Sequence, residues 1–177
     1  MSTARFTRDG SDTLEALIKE SCEEIGRDVS NIVPANKLQA LLLGGGYGRG
    51  EGGVLATPAG DAPYNDLEFF LLISGHPRIN ERRYGVAIHS LEQRMTKKLG
   101  IDVELKILSL EKLRSSPTTM FYYDLVCGHR VTVGPPKVLG NCAHHADSAR
   151  IPAHEAMRLL MNRCSGLLFA AERVTQN

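Results

Sequence analysis

LLLGGGYGRGEGG, residues 41–53, is followed after a short loop by YNDLEFFLLI, residues 64–73. The first stretch completes an apolar run that begins at Leu38 and is interrupted only by Gln39. It reads as a buried strand entering a turn of seven glycines that also holds Tyr47, Arg49 and Glu51. The second reads as a strand over 64–74 with Asp66 and Glu68 one residue apart. Side chains at i and i+2 of a strand point to the same face. Two like charges so placed repel each other and are costly to desolvate. A divalent cation relieves both costs, and hard oxygen ligands suit Mg²⁺. Leu67 and the run Phe69 to Ile73 predict a strand buried on both faces, where an unpaired Glu68 is unwelcome. Glycine turn and paired acids together read as a phosphate cradle facing a metal site.

Gly45 and Gly46 follow a strand and precede a short helix. Without Cβ atoms, backbone can approach a phosphate closely and aim consecutive N–H groups at it. Arg49 adds a forked cation suited to phosphate oxygens. No Lys-Ser or Lys-Thr follows, so this is not the common nucleoside-triphosphatase phosphate loop. A GxGxxG string can be traced through Gly48, Gly50 and Gly53, but a dinucleotide site needs a crossover helix next. Residues 53–65, with Pro58, Gly60 and Pro63, read instead as a loop. A third acid lies in IDVELKIL, residues 101–108. Asp102 and Glu104 share a face there, and either could complete a three-acid cluster; Glu104, deeper in the strand, is preferred. Lys106 follows on the same face and reads as a partner for Glu104, with a phosphate contact as the alternative.

The flanks supply helices. Residues 11–29 place Leu14, Leu17, Ile18, Cys22 and Ile25 on one face behind a Ser11 N-cap. Residues 80–99 do the same with Tyr84, Ile88, Leu91, Met95 and Leu99, and Gly100 stands where a C-capping glycine belongs. Short helices are expected over 109–115 and 118–127 and a strand over 130–133, while 138–150 has no clear period. Residues 151–174 form a last helix with a broad apolar stripe through Met157, Leu160, Met161, Cys164, Leu167 and Leu168. The fold class is α/β (α+β), a small mixed β-sheet flanked by helices, with a C-terminal helix. The expected division is an N-terminal helical segment over 1–36, a catalytic domain over 37–137, and a linker plus C-terminal helix over 138–177. That helix either folds back, begins a helical domain, or meets a second copy or a helical partner.

A length of 177 residues suits one domain plus an extra element. A net charge of +1 gives no electrostatic footprint for duplex nucleic acid. Cys22, Cys127, Cys142 and Cys164 are scattered without a CxxC and read as reduced thiols of a cytoplasmic protein. Residues 1–12 lack the apolar core of a signal peptide, and no apolar stretch reaches the length of a membrane span. Cys142, His144, His145 and His154 fit no standard zinc spacing and read as a polar loop. Tyr122, Tyr123 and Asp124 read as edge packing. Arg94, Lys97 and Lys98 read as a solvated helix face, and His76 and His89 show no evident partner that would make them catalytic.

The ordered set of strand, Gly-Gly-x-Gly-Arg, acid-hydrophobic-acid and a lone acid on a later strand resembles the DNA polymerase beta-like nucleotidyltransferase superfamily. GGYGRGE, residues 45–51, is similar to the bacterial uridylyltransferases that modify nitrogen-regulatory proteins. The resemblance spans residues 38–108, and the helix IPAHEAMRLLMNRCSGLL, residues 151–168, resembles the helical region that follows several such domains. It implies transfer of a nucleoside monophosphate from a nucleoside triphosphate, such as ATP, to a hydroxyl-bearing small molecule or a protein, with two Mg²⁺ or Mn²⁺ ions as cofactors. It assigns Gly45, Gly46 and Arg49 to the triphosphate, and Asp66 and Glu68 to the metals. Glu104, or Asp102, becomes the third acid that helps activate the acceptor hydroxyl. Two features depart from the family: Glu68 stands where Asp is commoner, and the span from Gly46 to Asp66 is long. Glu68 and the apolar last helix together motivate a second function class, a nucleotide- or partner-binding module that keeps the fold without the turnover.

Overall fold

The computed structural model describes residues 5–175. Helix α1 (Asp12–Ile32) begins where the Ser11 hydroxyl accepts the Leu14 N–H, and it runs past the expected end at Val29. Strand β1 (Leu38–Leu43), short helix α2 (Gly45–Arg49), strands β2 (Val54–Thr57), β3 (Gly60–Pro63) and β4 (Leu67–Ile73), and helix α3 (Pro77–Leu99) follow. Strand β5 (Val103–Leu108), helices α4 (Leu110–Ser115) and α5 (Met120–Cys127), strand β6 (Arg130–Val133), two 3₁₀ turns and helix α6 (Ala153–Thr175) complete the chain.

The main sheet has the order β5-β4-β1-β6. The β4–β5 pair is parallel, with α3 as its crossover; β1 pairs antiparallel with both β4 and β6. The sheet is therefore mixed, and its strand alternation builds two cores. Leu41, Leu43, Phe69, Leu71 and Ile73 face the apolar stripes of α1 and α3. Ala40, Leu42, Phe70 and Leu72 face α4, α5 and the 3₁₀ turn Gly140–Ala146. Glu68 belongs to the second set by parity, so the acids open onto the α4–α5 side near the start of β4.

Several expectations need correction. Residues 54–63 form a β-hairpin, not a loop: Thr57 pairs with Gly60, whose φ of 117° only glycine adopts readily. This ribbon stands outside the main sheet and leaves Leu55 exposed, so no burial pattern announced it. Strand β4 starts at Leu67, leaving Tyr64, Asn65 and Asp66 in the approach to it. The strand itself is buried on both faces at Leu67 and Phe69 to Ile73, as expected, and half-buried Glu68 is paired with Lys106. Helix α3 opens at Pro77 and not at 80. Proline loses nothing by lacking an N–H in the first helical turn, and the His76 ring caps the Arg78 N–H. Arg94 and Lys98 are not merely solvated: they pair with Asp28 and Glu24, tying α3 to α1. The aperiodic 138–150 stretch holds both 3₁₀ turns, which bury Cys142 and His145; the His145 Nε2 meets the Leu113 carbonyl at 2.8 Å.

Helix α6 stands off the body. Met157, Leu160, Met161, Leu167, Leu168 and Phe169 are all exposed. Glu155 alone is buried on it; its carboxylate accepts the Met120 N–H at the start of α5 and pairs with Arg158 at 2.9 Å. Among the described residues no helix is long and apolar enough to cross a membrane.

The approach to α1 is held by a carboxylate. Glu15 accepts the Phe6 N–H at 2.7 Å, the Thr7 N–H at 2.9 Å and the Thr7 hydroxyl at 2.5 Å. Burial opposes the charge, but these bonds, with Arg5 nearby, outweigh it and hold the carboxyl below its ordinary 4.5. A depressed folded-state value means that the stabilisation is present above about pH 4.5 and is lost as pH falls through the lower folded value. Glu15→Gln keeps one acceptor oxygen and is expected to cost about 1–3 kcal/mol at pH 7. Chemical denaturation at pH 7 and at pH 3 is the check, and the gap between variant and parent should narrow at the acid end.

Candidate active site at the glycine turn

Strand β1 delivers the turn to the acids. Its last residue, Leu43, pairs with Phe69, and the next N–H, that of Gly44, donates to the Glu68 carbonyl at 2.8 Å. The chain then folds at once into α2, with Gly45 at φ 59°. A Cβ on Gly45 would lie 2.7 Å from Glu68 Oε2, so backbone and carboxylate approach as only glycine permits. The first N–H groups of α2 have no partner within the helix. Gly46 accepts the Glu51 N–H at 2.8 Å, which closes the turn.

Arg49, in the last turn of α2, directs its Nε to Glu51 at 3.3 Å. Arg8 binds the same carboxylate at 2.9 Å, and the two arginines, Arg8 foremost, hold it below the usual range. Residues near Arg8 also line the turn: Thr7 bridges Gly52 in parallel, and the Gly52 N–H donates to the Phe6 carbonyl at 3.0 Å. No sequence pattern pointed to this N-terminal strap.

The acids converge across the parallel pair. Glu68 and Glu104 are direct register partners on β4 and β5. Asp66, Glu68 and Glu104 each offer a carboxylate oxygen, and these oxygens lie within 4.8 Å of one another. Asp66 is exposed, and the two glutamates are half-buried. A cluster of hard oxygen donors open to solvent fits Mg²⁺ or Mn²⁺. Asp102 lies outside this cluster. Its carbonyl accepts the Leu67 N–H at 2.9 Å, and it lines a groove beside α3 that also takes in Glu92, Thr96, Glu104 and Lys106. Cys142, His144, His145 and His154 form no such cluster among the described residues.

Lys106 stands between the two glutamates. Its Nζ is 3.4 Å from Glu68 Oε1 and also contacts Glu104. Burial opposes its charge, but the two carboxylates outweigh it, so the ammonium is held above the ordinary lysine range.

Tyr47 is the functional neighbour that sequence reasoning passed over. It is buried to 1% exposure; its hydroxyl donates to the Gly53 carbonyl at 2.7 Å and accepts the Tyr64 N–H at 3.1 Å. Burial pushes its phenol up. One ring therefore ties the glycine turn to the segment that carries Asp66. A lone aromatic among seven glycines was the available signal. Tyr122 packs on His145, with ring centroids 5.0 Å apart, on the second core.

No family model matches the chain, and no curated protein matches it. Among solved structures, similarity is found to an AMPylated HEPN toxin in complex with an MNT antitoxin from Shewanella oneidensis. The identity is 16%, the match covers 87% of this chain and 98% of that one, and the TM-score is 0.44. A toxin–antitoxin MntA–HepT structure is similar at 15% identity, with 87% and 98% covered and a TM-score of 0.43.

Proposed function

We propose that this chain is a metal-dependent nucleotidyltransferase of the DNA polymerase beta-like type. It moves a nucleoside monophosphate from a nucleoside triphosphate to a hydroxyl on a small molecule or a protein. The observation that carries this reading is the meeting of Asp66, Glu68 and Glu104 within 4.8 Å, beside a glycine turn hydrogen-bonded to the Glu68 backbone. Asp66, Glu68 and Glu104 would hold the divalent cations, which supply positive charge to the attacking and leaving oxygens. The backbone of Gly45 and Gly46 and the fork of Arg49 bind the phosphates. Glu104, half-exposed on an edge strand, takes the proton of the acceptor hydroxyl. The acceptor oxygen bonds to the α-phosphorus, the bond from that phosphorus to the bridging oxygen breaks, and pyrophosphate leaves.

Calorimetric titration with Mn²⁺ and a non-hydrolysable ATP analogue tests the reading. Heat of binding in the millimolar range or tighter is expected; a folded protein that takes up neither sinks it. A second reading, a partner-binding module of the same fold with little turnover, is favoured by the exposed apolar residues of α6. It predicts nucleotide binding without release of pyrophosphate.

A further inference from the structure

We propose that Lys106 is a built-in competitor for the metal, an ammonium that must leave Glu68 and Glu104 before a divalent cation can engage all three carboxylates. The inference rests on the metal reading above and deepens it.

The geometry follows from strand register. Glu68 faces Glu104 across the parallel pair, and Phe70 faces Lys106 one step along the same face. The lysine stem thus starts beside Phe70, with Nζ 6.0 Å from the ring centroid, and the head turns back onto both glutamates. Two of the three carboxylates share this one cation; among the described residues no cation pairs with Asp66. Three carboxylates carry three negative charges, and Lys106 leaves two for an incoming ion to meet. An ammonium that stayed in place would also repel that ion at contact range. The side chain is about half-exposed, so it can swing into water, where a nucleotide phosphate offers it a new partner.

The consequence is a metal affinity set partly by Lys106. Its measurement uses the full chain and Mn²⁺ alone, with free Mn²⁺ followed by electron paramagnetic resonance. Lys106→Met is expected to bind Mn²⁺ about tenfold more tightly than the parent, the weight of two half-exposed ion pairs. Lys106→Arg, which keeps the charge, should bind as the parent does. Lys106→Gln serves as a second neutral variant if Lys106→Met fails to fold, with thermal melts as the control. Equal or weaker binding in the neutral variants, while the parent binds Mn²⁺, overturns the role of Lys106 and leaves the metal reading standing. Absence of Mn²⁺ binding in parent and variants alike at millimolar concentration overturns both.

Discussion

Asp66→Asn is expected to reduce the release of labelled nucleoside monophosphate from α-labelled nucleoside triphosphates about a hundredfold or more, with water standing in as the acceptor. The folded state should barely notice. Asp66 is exposed and precedes β4, and among the described residues nothing donates a hydrogen bond to its carboxylate. Surface substitutions of that kind usually stay within about 0.5 kcal/mol. Asparagine keeps the shape and one oxygen but loses the charge that a cation needs. Even outer partners of metal ligands are worth about 10–100-fold in metal affinity, so a direct ligand should cost at least that much. Mn²⁺ titration of the variant should therefore show the loss, beside an unchanged melting curve. The same substitution separates the two functional readings. A binding module would keep its partner affinity and show no turnover to lose; a transferase would lose turnover with its stability intact.

How far the site was legible depends on what each residue's position rests on. Strands β1 and β4 bury most of their side chains and β5 buries Val103 and Leu105 at alternate positions, and burial of that kind leaves a pattern in the residues themselves. Ser11 and Gly100 mark helix ends through local chemistry, and both stand where that chemistry puts them. The helix expected over 80–99 opens three residues earlier at Pro77, because apolar spacing marks the buried face and not the first turn, where a proline is at home. The hairpin over 54–63 was invisible because it packs too little apolar surface to need a pattern. Contacts that depend on register were harder still. That Glu68 meets Glu104 and not Asp102 follows from how β4 and β5 slide against each other, which the alternation of either strand alone does not fix. The sharing of Lys106 by both glutamates has the same origin. Arg94 with Asp28 and Lys98 with Glu24 depend on the relative placement of two helices far apart in the chain.

Two glycines of the turn separate the fold from the site. Gly48→Ala is expected to destabilise the protein by about 3 kcal/mol. A Cβ there would lie 2.5 Å from the Leu43 carbonyl oxygen and 2.9 Å from that of Gly128. Both obstacles are backbone, one at the end of the central strand β1 and one at the end of α5, so neither can rotate away. Relief requires α2 to lift from both. For a chain of this size each kcal/mol moves the melting temperature by roughly 2–4 °C, so a loss near 10 °C should be read in a thermal melt. Gly45→Ala strains the backbone by about 1–2 kcal/mol, because its φ of 59° lies in the left-handed region. The atom its Cβ meets, Glu68 Oε2, is the tip of a flexible side chain that can move aside. Moving it takes one carboxylate out of the cluster. Gly45→Ala should thus melt closer to the parent yet bind Mn²⁺ more weakly, whereas Gly48→Ala, assayed below its lowered melting point, should keep more of its Mn²⁺ affinity. A Gly48→Ala protein that melts with the parent would show that α2 does not seat against β1 and α5. A Gly45→Ala protein with parental Mn²⁺ affinity would show that the turn and the acids act separately.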